Sequence, residues 1–289
     1  MRTVGFRRLM HERLKFVVER AGLAWPEVAT ADELAELAVD VFLRPPPPSR
    51  MTPREAGYLE QGRRGMLVTR AGALAAWTWG SESAPVVGLV HGWAGRGSQL
   101  GAFAAPLVTA GFQVVAFDGP AHGESPGVEA SVPRLAECIV EIALQRGGVH
   151  ALIGHSMGAA SAAMATMIGL APKGLVMIAP PLSHRRRMER VAAGLELTSE
   201  VRTLFYAAAE RRVGWKDEDV DMRVVARRAP CPALVFHDPQ DDNTEFSGSE
   251  EFVAQWSGAR LVPCPGRGHL RILTTTEVVA ETVRFVAAL

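Results

Sequence analysis

His150-Ala151-Leu152-Ile153-Gly154-His155-Ser156-Met157-Gly158 is the stretch from which the fold of this chain is read. HALI is a short apolar run of strand character, and the small-residue segment AASAAMATM (159–167) that follows is helix-like. A serine between glycines at a strand-to-helix junction sits on a sharp turn, because glycine tolerates tight turns and close backbone approach. Such a turn exposes the Ser156 hydroxyl at the sheet edge and at a helix N-terminus, and lets Met157 give its N–H to a developing oxyanion. The same G-x-S-x-G pattern recurs at Gly123-Glu124-Ser125-Pro126-Gly127. There no strand runs directly into the serine, and Pro126 has no N–H to give. Ser156 is the candidate nucleophile and Ser125 a loop residue.

Outward from this stretch, short apolar runs alternate with helix-like segments. VVGLV (86–90), QVVAF (113–117), HALIG (150–154), GLVMIA (174–179), PALVF (232–236) and ARLVP (259–263) read as strands. Several are apolar on both faces, as a parallel sheet covered by helices requires. MLVTR (66–70), Ala71-Gly72 and LAAWTW (74–79) read as a hairpin ahead of them. The alternation predicts one doubly wound α/β domain over residues 51–289. Residues 182–230 break the rhythm: they read as helical, an insertion above the carboxyl ends of the strands, where α/β folds bind ligands.

Residues 1–50 read as a helical extension and a stiff linker. Val4, Phe6, Leu9, Leu14, Val17 and Val18 form an approximate helical stripe. The basic N-terminus has no apolar run long enough for a signal peptide, and Glu12 and Glu19 interrupt it. Thr30-Ala31-Asp32-Glu33 is a capping box, and its helix is expected to reach about Leu43 before Pro45–Pro48 stop it. This extension is expected to pack on the main body.

The chain has 289 residues, with 31 basic and 31 acidic side chains and 48% hydrophobic residues. A neutral balance disfavours a nucleic-acid partner, and no run reaches the ~18 apolar residues of a membrane span. Cys138, Cys231 and Cys264 are odd in number and widely spaced, with no metal or redox motif, which suggests a reducing cytoplasm.

A serine nucleophile needs a base, an acid and oxyanion donors. His269, in Gly266-Arg267-Gly268-His269 after the last strand, suits the order Ser…Asp/Glu…His better than His122, His155 or His237. His155 directly precedes Ser156, so its side chain should point away. The acid belongs after PALVF, where His237-Asp238-Pro239-Gln240-Asp241-Asp242 offers Asp238, Asp241 and Asp242; spacing leaves the three open. His91-Gly92-Trp93 follows VVGLV, and the Trp93 N–H is the candidate second oxyanion donor.

HGW, DGPAHGES (118–125), GHSMG, HDPQDD and GRGH, in this order, resemble the α/β-hydrolase superfamily over residues 66–289. The resemblance implies an α/β-hydrolase fold with Ser156 as nucleophile, His269 as base, and Trp93 and Met157 as oxyanion donors. The family's acid commonly ends an HGxxD pattern, which maps to Asp241, although Asp238 replaces the usual glycine. DGPAHGES is similar to a stretch that shapes the fold. A serine nucleophile argues against the dehalogenase and epoxide hydrolase branches, which use aspartate.

By the same resemblance, 182–230 is a lid whose Met188, Val191, Leu195, Leu197, Val201, Leu204, Phe205 and Tyr206 face an acyl pocket. His91, Arg96 and His155 join Leu204 and Phe205 as candidate pocket residues. Arg96, in the loop Gly95-Arg96-Gly97, would lie near the oxyanion donors; without GK[ST] the loop is no phosphate-binding motif. Arg185-Arg186-Arg187 reads as a solvated basic turn rather than a magnet for an acidic substrate. The expectation is a cofactor-free, metal-free carboxylesterase acting on a small acyl ester through an acyl-enzyme. A thioesterase, lactonase, amidase or carbon–carbon hydrolase would use the same triad, and a non-catalytic ligand-binding protein is the remaining alternative. The oligomeric state is not encoded in any motif.

Overall fold

The computed structural model describes residues 30–47 and 49–289. The apolar stripe expected between Val4 and Val18 lies outside them. The described residues open with α1 (Ala31–Leu43). Thr30 Oγ accepts from the Glu33 N–H, and the Glu33 carboxylate accepts from the Thr30 N–H, so the expected capping box is closed. A second box, Thr52 with Glu55 and Pro53 at the first helical position, starts α2 (Pro53–Glu60). Its signature, T-P-R-E, is as legible as the first.

The sheet follows: β1 (Arg63–Thr69), β2 (Gly72–Trp79), β3 (Val86–Val90), β4 (Gln113–Phe117), β5 (Ala151–His155), β6 (Gly174–Ile178), β7 (Ala233–His237) and β8 (Ala259–Pro263). Their order is β1-β2-β4-β3-β5-β6-β7-β8. β1 and β2 are antiparallel, and β3 to β8 run parallel. The hairpin pairs Thr69 with Gly72, so its turn is Arg70-Ala71, one residue earlier than the composition suggested.

Alternate residues of each central strand serve opposite faces. Val86, Val90, Leu152, Leu175, Met177 and Val235 pack under α4 (Val132–Gln145) and α5 (Met157–Met167). Val87, Leu89, Ile153, Val176, Ile178 and Phe236 pack under α3 (Ala104–Thr109) and, after the short turn α10 (Gly268–Arg271), α11 (Thr276–Ala287). Burial on both faces is why these strands read as continuous apolar runs.

The insertion between β6 and β7 is helical: α6 (His184–Gly194), α7 (Ser199–Val213) and α8 (Met222–Arg228). α8 belongs to the body, because Met222, Val225 and Ala226 share a core with Ala233 and Phe252, the latter from α9 (Phe246–Val253). The expected lid therefore shortens to α6 and α7. Their apolar residues join those of α1 in a separate core: Leu37, Val41 and Phe42 against Met188, Leu195, Val201 and Phe205. Among the described residues, no helix is long and apolar enough to cross a membrane.

Candidate active site

β5 delivers the chain into Ser156 at φ 51°, a left-handed conformation that a serine rarely adopts. The flanking glycines are dictated by approach. A Cβ on Gly158 would lie 2.3 Å from the Val90 carbonyl oxygen, and one on Gly154 2.6 Å from Ala159 Cα. Only hydrogen at both positions lets α5 start against the ends of β3 and β5. The HGW loop abuts the same turn, since a Cβ on Gly92 would meet Ser156 Cβ at 2.9 Å.

The other loops after parallel strands complete the site. His269 Nδ1 lies 2.7 Å from Asp241 Oδ2, and the Asp241 side chain is fully buried. Burial alone would raise the Asp241 pKa. His237 and His269 beside it, with the charge of His269 and the Asn243 N–H, hold it well below the usual carboxylate range. The Asn243 and Thr244 N–H groups donate to Oδ1, and Thr244 Oγ donates to Oδ2. The pairing separates the three acids that spacing left open. Asp238 instead accepts the Gly268 and Gln240 N–H groups, gripping the backbone of the loop that carries His269. Asp242 is exposed.

His155 lies under the same loop. Its Nε2 donates to the His269 carbonyl at 2.9 Å, and the two rings are 4.6 Å apart. Burial first, then the charge of His269, pulls its pKa down to about 3, so it is a neutral prop. Rather than pointing away from the site, it lines it.

Two further neutral histidines hold the HGW loop. His91 Nε2 accepts the Gly119 N–H and Nδ1 donates to the Gly92 carbonyl. His122 Nε2 accepts the Ala94 N–H and Nδ1 donates to the Pro120 carbonyl. Burial pulls them down to about 4 and about 3 respectively. Asp118, under the same loops, accepts from the Gly97 and Glu124 N–H groups. Ser125, of the second G-x-S-x-G match, donates to the Asp118 carbonyl and accepts from the Ala75 N–H, a stitch between loop and β2.

Ser156, Met157, Trp93, His155 and His269 line one cavity of about 460 Å³. Four expected pocket residues are elsewhere. His91 is fully buried beneath the loop. Arg96 is buried beside His91 and Asp118; burial lowers the His91 pKa, to which the Arg96 charge adds, and raises that of Asp118, which the Arg96 charge opposes. Phe205 is 0% exposed and packs edge-on against Phe42, 6.2 Å between ring centres, and half-buried Leu204 packs against the same core. The reason is that α1 covers most of the apolar side of α6 and α7; of the apolar lid residues expected to face the pocket, Val191 lines the cavity. Val41 and Ser49, from the N-terminal segment, line the cavity instead.

The basic triplet is not a solvated turn. It forms the start of α6. Arg185 pairs with Asp217 at 2.7 Å, and Arg186 with Glu245 and Glu251. Arg187 stacks on Trp93, 3.6 Å from guanidinium carbon to ring centre, and lines the cavity. The signal for this was helical spacing: Arg187 and Arg190 are three apart, one turn from each other on one face.

No cysteine lines the cavity, and burial pushes the Cys138 and Cys231 thiols up to about 11, away from nucleophilic use. Among the described residues, no group of three His, Cys, Asp or Glu is placed to hold a metal ion.

A mostly parallel sheet, with a strained serine and a carboxylate-paired histidine on loops at the carboxyl ends of its strands, defines an α/β hydrolase. Residues 89–282 match the family model described as "Alpha/beta hydrolase family", and the chain belongs to that family. The fold is similar to an esterase of Pyrococcus furiosus (TM-score 0.61, 17% identity, covering 85% of this chain and 97% of that one). It is also similar to a thioesterase domain from the curacin biosynthetic pathway (0.59, 17%, 79% and 99%). A third similar structure is Est1E of Butyrivibrio proteoclasticus with ferulic acid bound (0.57, 19%, 78% and 96%). A search of curated proteins gives no match.

Proposed function

We propose that this hydrolase cleaves a carboxylic ester through an acyl-enzyme on Ser156. The observation that carries the reading is the His269–Asp241 pair at 2.7 Å on the same cavity as Ser156. With Nδ1 held by a buried carboxylate, His269 is left with Nε2 to take the Ser156 proton as Oγ attacks the acyl carbonyl. The oxyanion rests on the N–H groups of Trp93 and Met157, and His269 returns the proton to the leaving alcohol. Water then attacks the acyl-enzyme by the same route, releasing the acid and restoring Ser156. Esterases and a thioesterase among the similar folds support acyl transfer as the class. Three unpaired cysteines are consistent with a cytoplasmic setting.

A fluorophosphonate probe tests the reading. Labelling of the wild-type chain at Ser156, absent in Ser156→Ala of unchanged melting temperature, is expected. Equal labelling of both proteins would refute it. A screen of esters, thioesters and lactones then ranks the bond cleaved.

A further inference from the structure

The buried histidines of this molecule are not treated alike. His91, His122 and His237 hydrogen-bond through both ring nitrogens, and His155 through Nε2. His184 is the exception. It opens α6 behind the Ser183 cap and is 8% exposed, and among the described residues neither of its ring nitrogens has a hydrogen-bond partner. The ring is held edge-on to Phe42, 5.7 Å between ring centres. It lines the same cavity as Ser156 and His269. It also borders a void of about 10 Å³, too small for a ligand, so a ligand reaches the ring from the Ser156 cavity.

Burial first, and the Arg187 charge second, pull the His184 pKa down to about 3. At neutral pH the ring is therefore uncharged, with one N–H to donate and one lone pair to accept. An apolar substrate filling the cavity would shut the ring away from water with both groups unmet. A site of this kind rejects the apolar analogue of a substrate that carries the matching polar group. A hydroxyl both donates and accepts, so it meets the ring in either tautomer. A carboxylate only accepts, and an ammonium would meet the same Arg187 charge that His184 feels.

We propose that the substrate of this site is an ester bearing an uncharged hydroxyl group, which hydrogen-bonds His184 on the cavity wall. His184 is then a specificity-determining residue. The inference rests on the ester-hydrolase reading for the bond cleaved, but not for what His184 binds.

Two series of esters test it: methyl hexanoates with a hydroxyl at successive carbons of the acyl chain, and hexyl acetates with a hydroxyl at successive carbons of the alcohol. Each is compared with the isostere carrying a methyl group in place of the hydroxyl. At least one hydroxy ester is expected to exceed its isostere in kcat/KM by about tenfold, the scale of one stranded polar group. The series in which it falls places the hydroxyl on the acyl or the alcohol side. That ratio should be lost in His184→Phe, which keeps an aromatic edge against Phe42, or in His184→Leu if the first variant fails to fold. It should be retained in His184→Asn, whose amide keeps a donor and an acceptor. Isosteres cleaved as fast as every hydroxy ester overturn the inference and leave the ester-hydrolase reading standing. So does a ratio unchanged in His184→Phe, or adipic acid monomethyl ester outpacing every hydroxy ester.

Recognition is also read without turnover, by calorimetry on Ser156→Ala with the same pairs. A hydroxy ester bound about tenfold tighter than its isostere, with the difference lost in Ser156→Ala/His184→Phe, supports the inference even where no ester is cleaved. Equal binding within every pair overturns it.

Discussion

Ser156 and Ser125 occupy the same position in the same pentapeptide pattern, yet they differ in every physical respect that matters. Ser156 has φ 51°, stands between a strand and a helix, and lines a cavity with His269. Ser125 is tied on both sides, donating to Asp118 and accepting from Ala75. A hydroxyl engaged with two main-chain groups is a structural staple, whereas one on a strained turn beside an imidazole is available to chemistry. The pattern names neither role; the elements on each side of it do.

The largest effect expected from breaking this contrast is on Ser156. Ser156→Ala should lower ester kcat/KM by about 10⁴-fold or more with an unchanged melting temperature, while Ser125→Ala keeps turnover. Loss of turnover in both would erase the distinction. The second effect sharpens the pairing behind Ser156. Asp241→Asn should cost about 10³–10⁴-fold in kcat, and Asp238→Asn far less, because Asp238 grips backbone and leaves the imidazole alone. Kinetics of the two variants side by side would refute the assignment if Asp238→Asn fell further.

A smaller effect belongs to the staple. Ser125→Ala leaves the Ala75 N–H without its acceptor, and about 1–3 kcal/mol of unfolding free energy should be lost in urea titrations.

The most gradual effect is the response to pH. His91, His122, His155 and His184 have pKa values lowered by burial to about 4, 3, 3 and 3. Each binds fewer protons folded than unfolded below 6.5, so stability is full above that pH and falls as pH drops towards 4. Per histidine the slope is about 1.4 kcal/mol per pH unit. Melting temperatures flat from pH 7 down to pH 4.5 would contradict neutral histidine props.

The hairpin, the six parallel strands and the first capping box were legible because each rests on a local pattern: apolar runs, small-residue turns, a T-x-x-E spacing. His269 was legible from its place after the last strand. The choice among Asp238, Asp241 and Asp242 was not, since neighbouring residues of one loop point in different directions and spacing does not say which reaches His269. The direction in which most of the lid's apolar side faces is not legible for a related reason. An amphipathic helix announces that it has an apolar side, but not what covers it.

By itself, the sequence determined the element order, the strained turn at Ser156 and the candidate base, because these are read from residues close together in the chain. Only the tertiary structure decided that α1 covers the apolar sides of α6 and α7 and that Phe205 is core. Only there do Arg187 and Arg190 turn towards Ser156. Burial of an apolar side is satisfied by whichever surface reaches it, and here that surface comes from Leu37, Val41 and Phe42, more than 140 residues earlier in the chain.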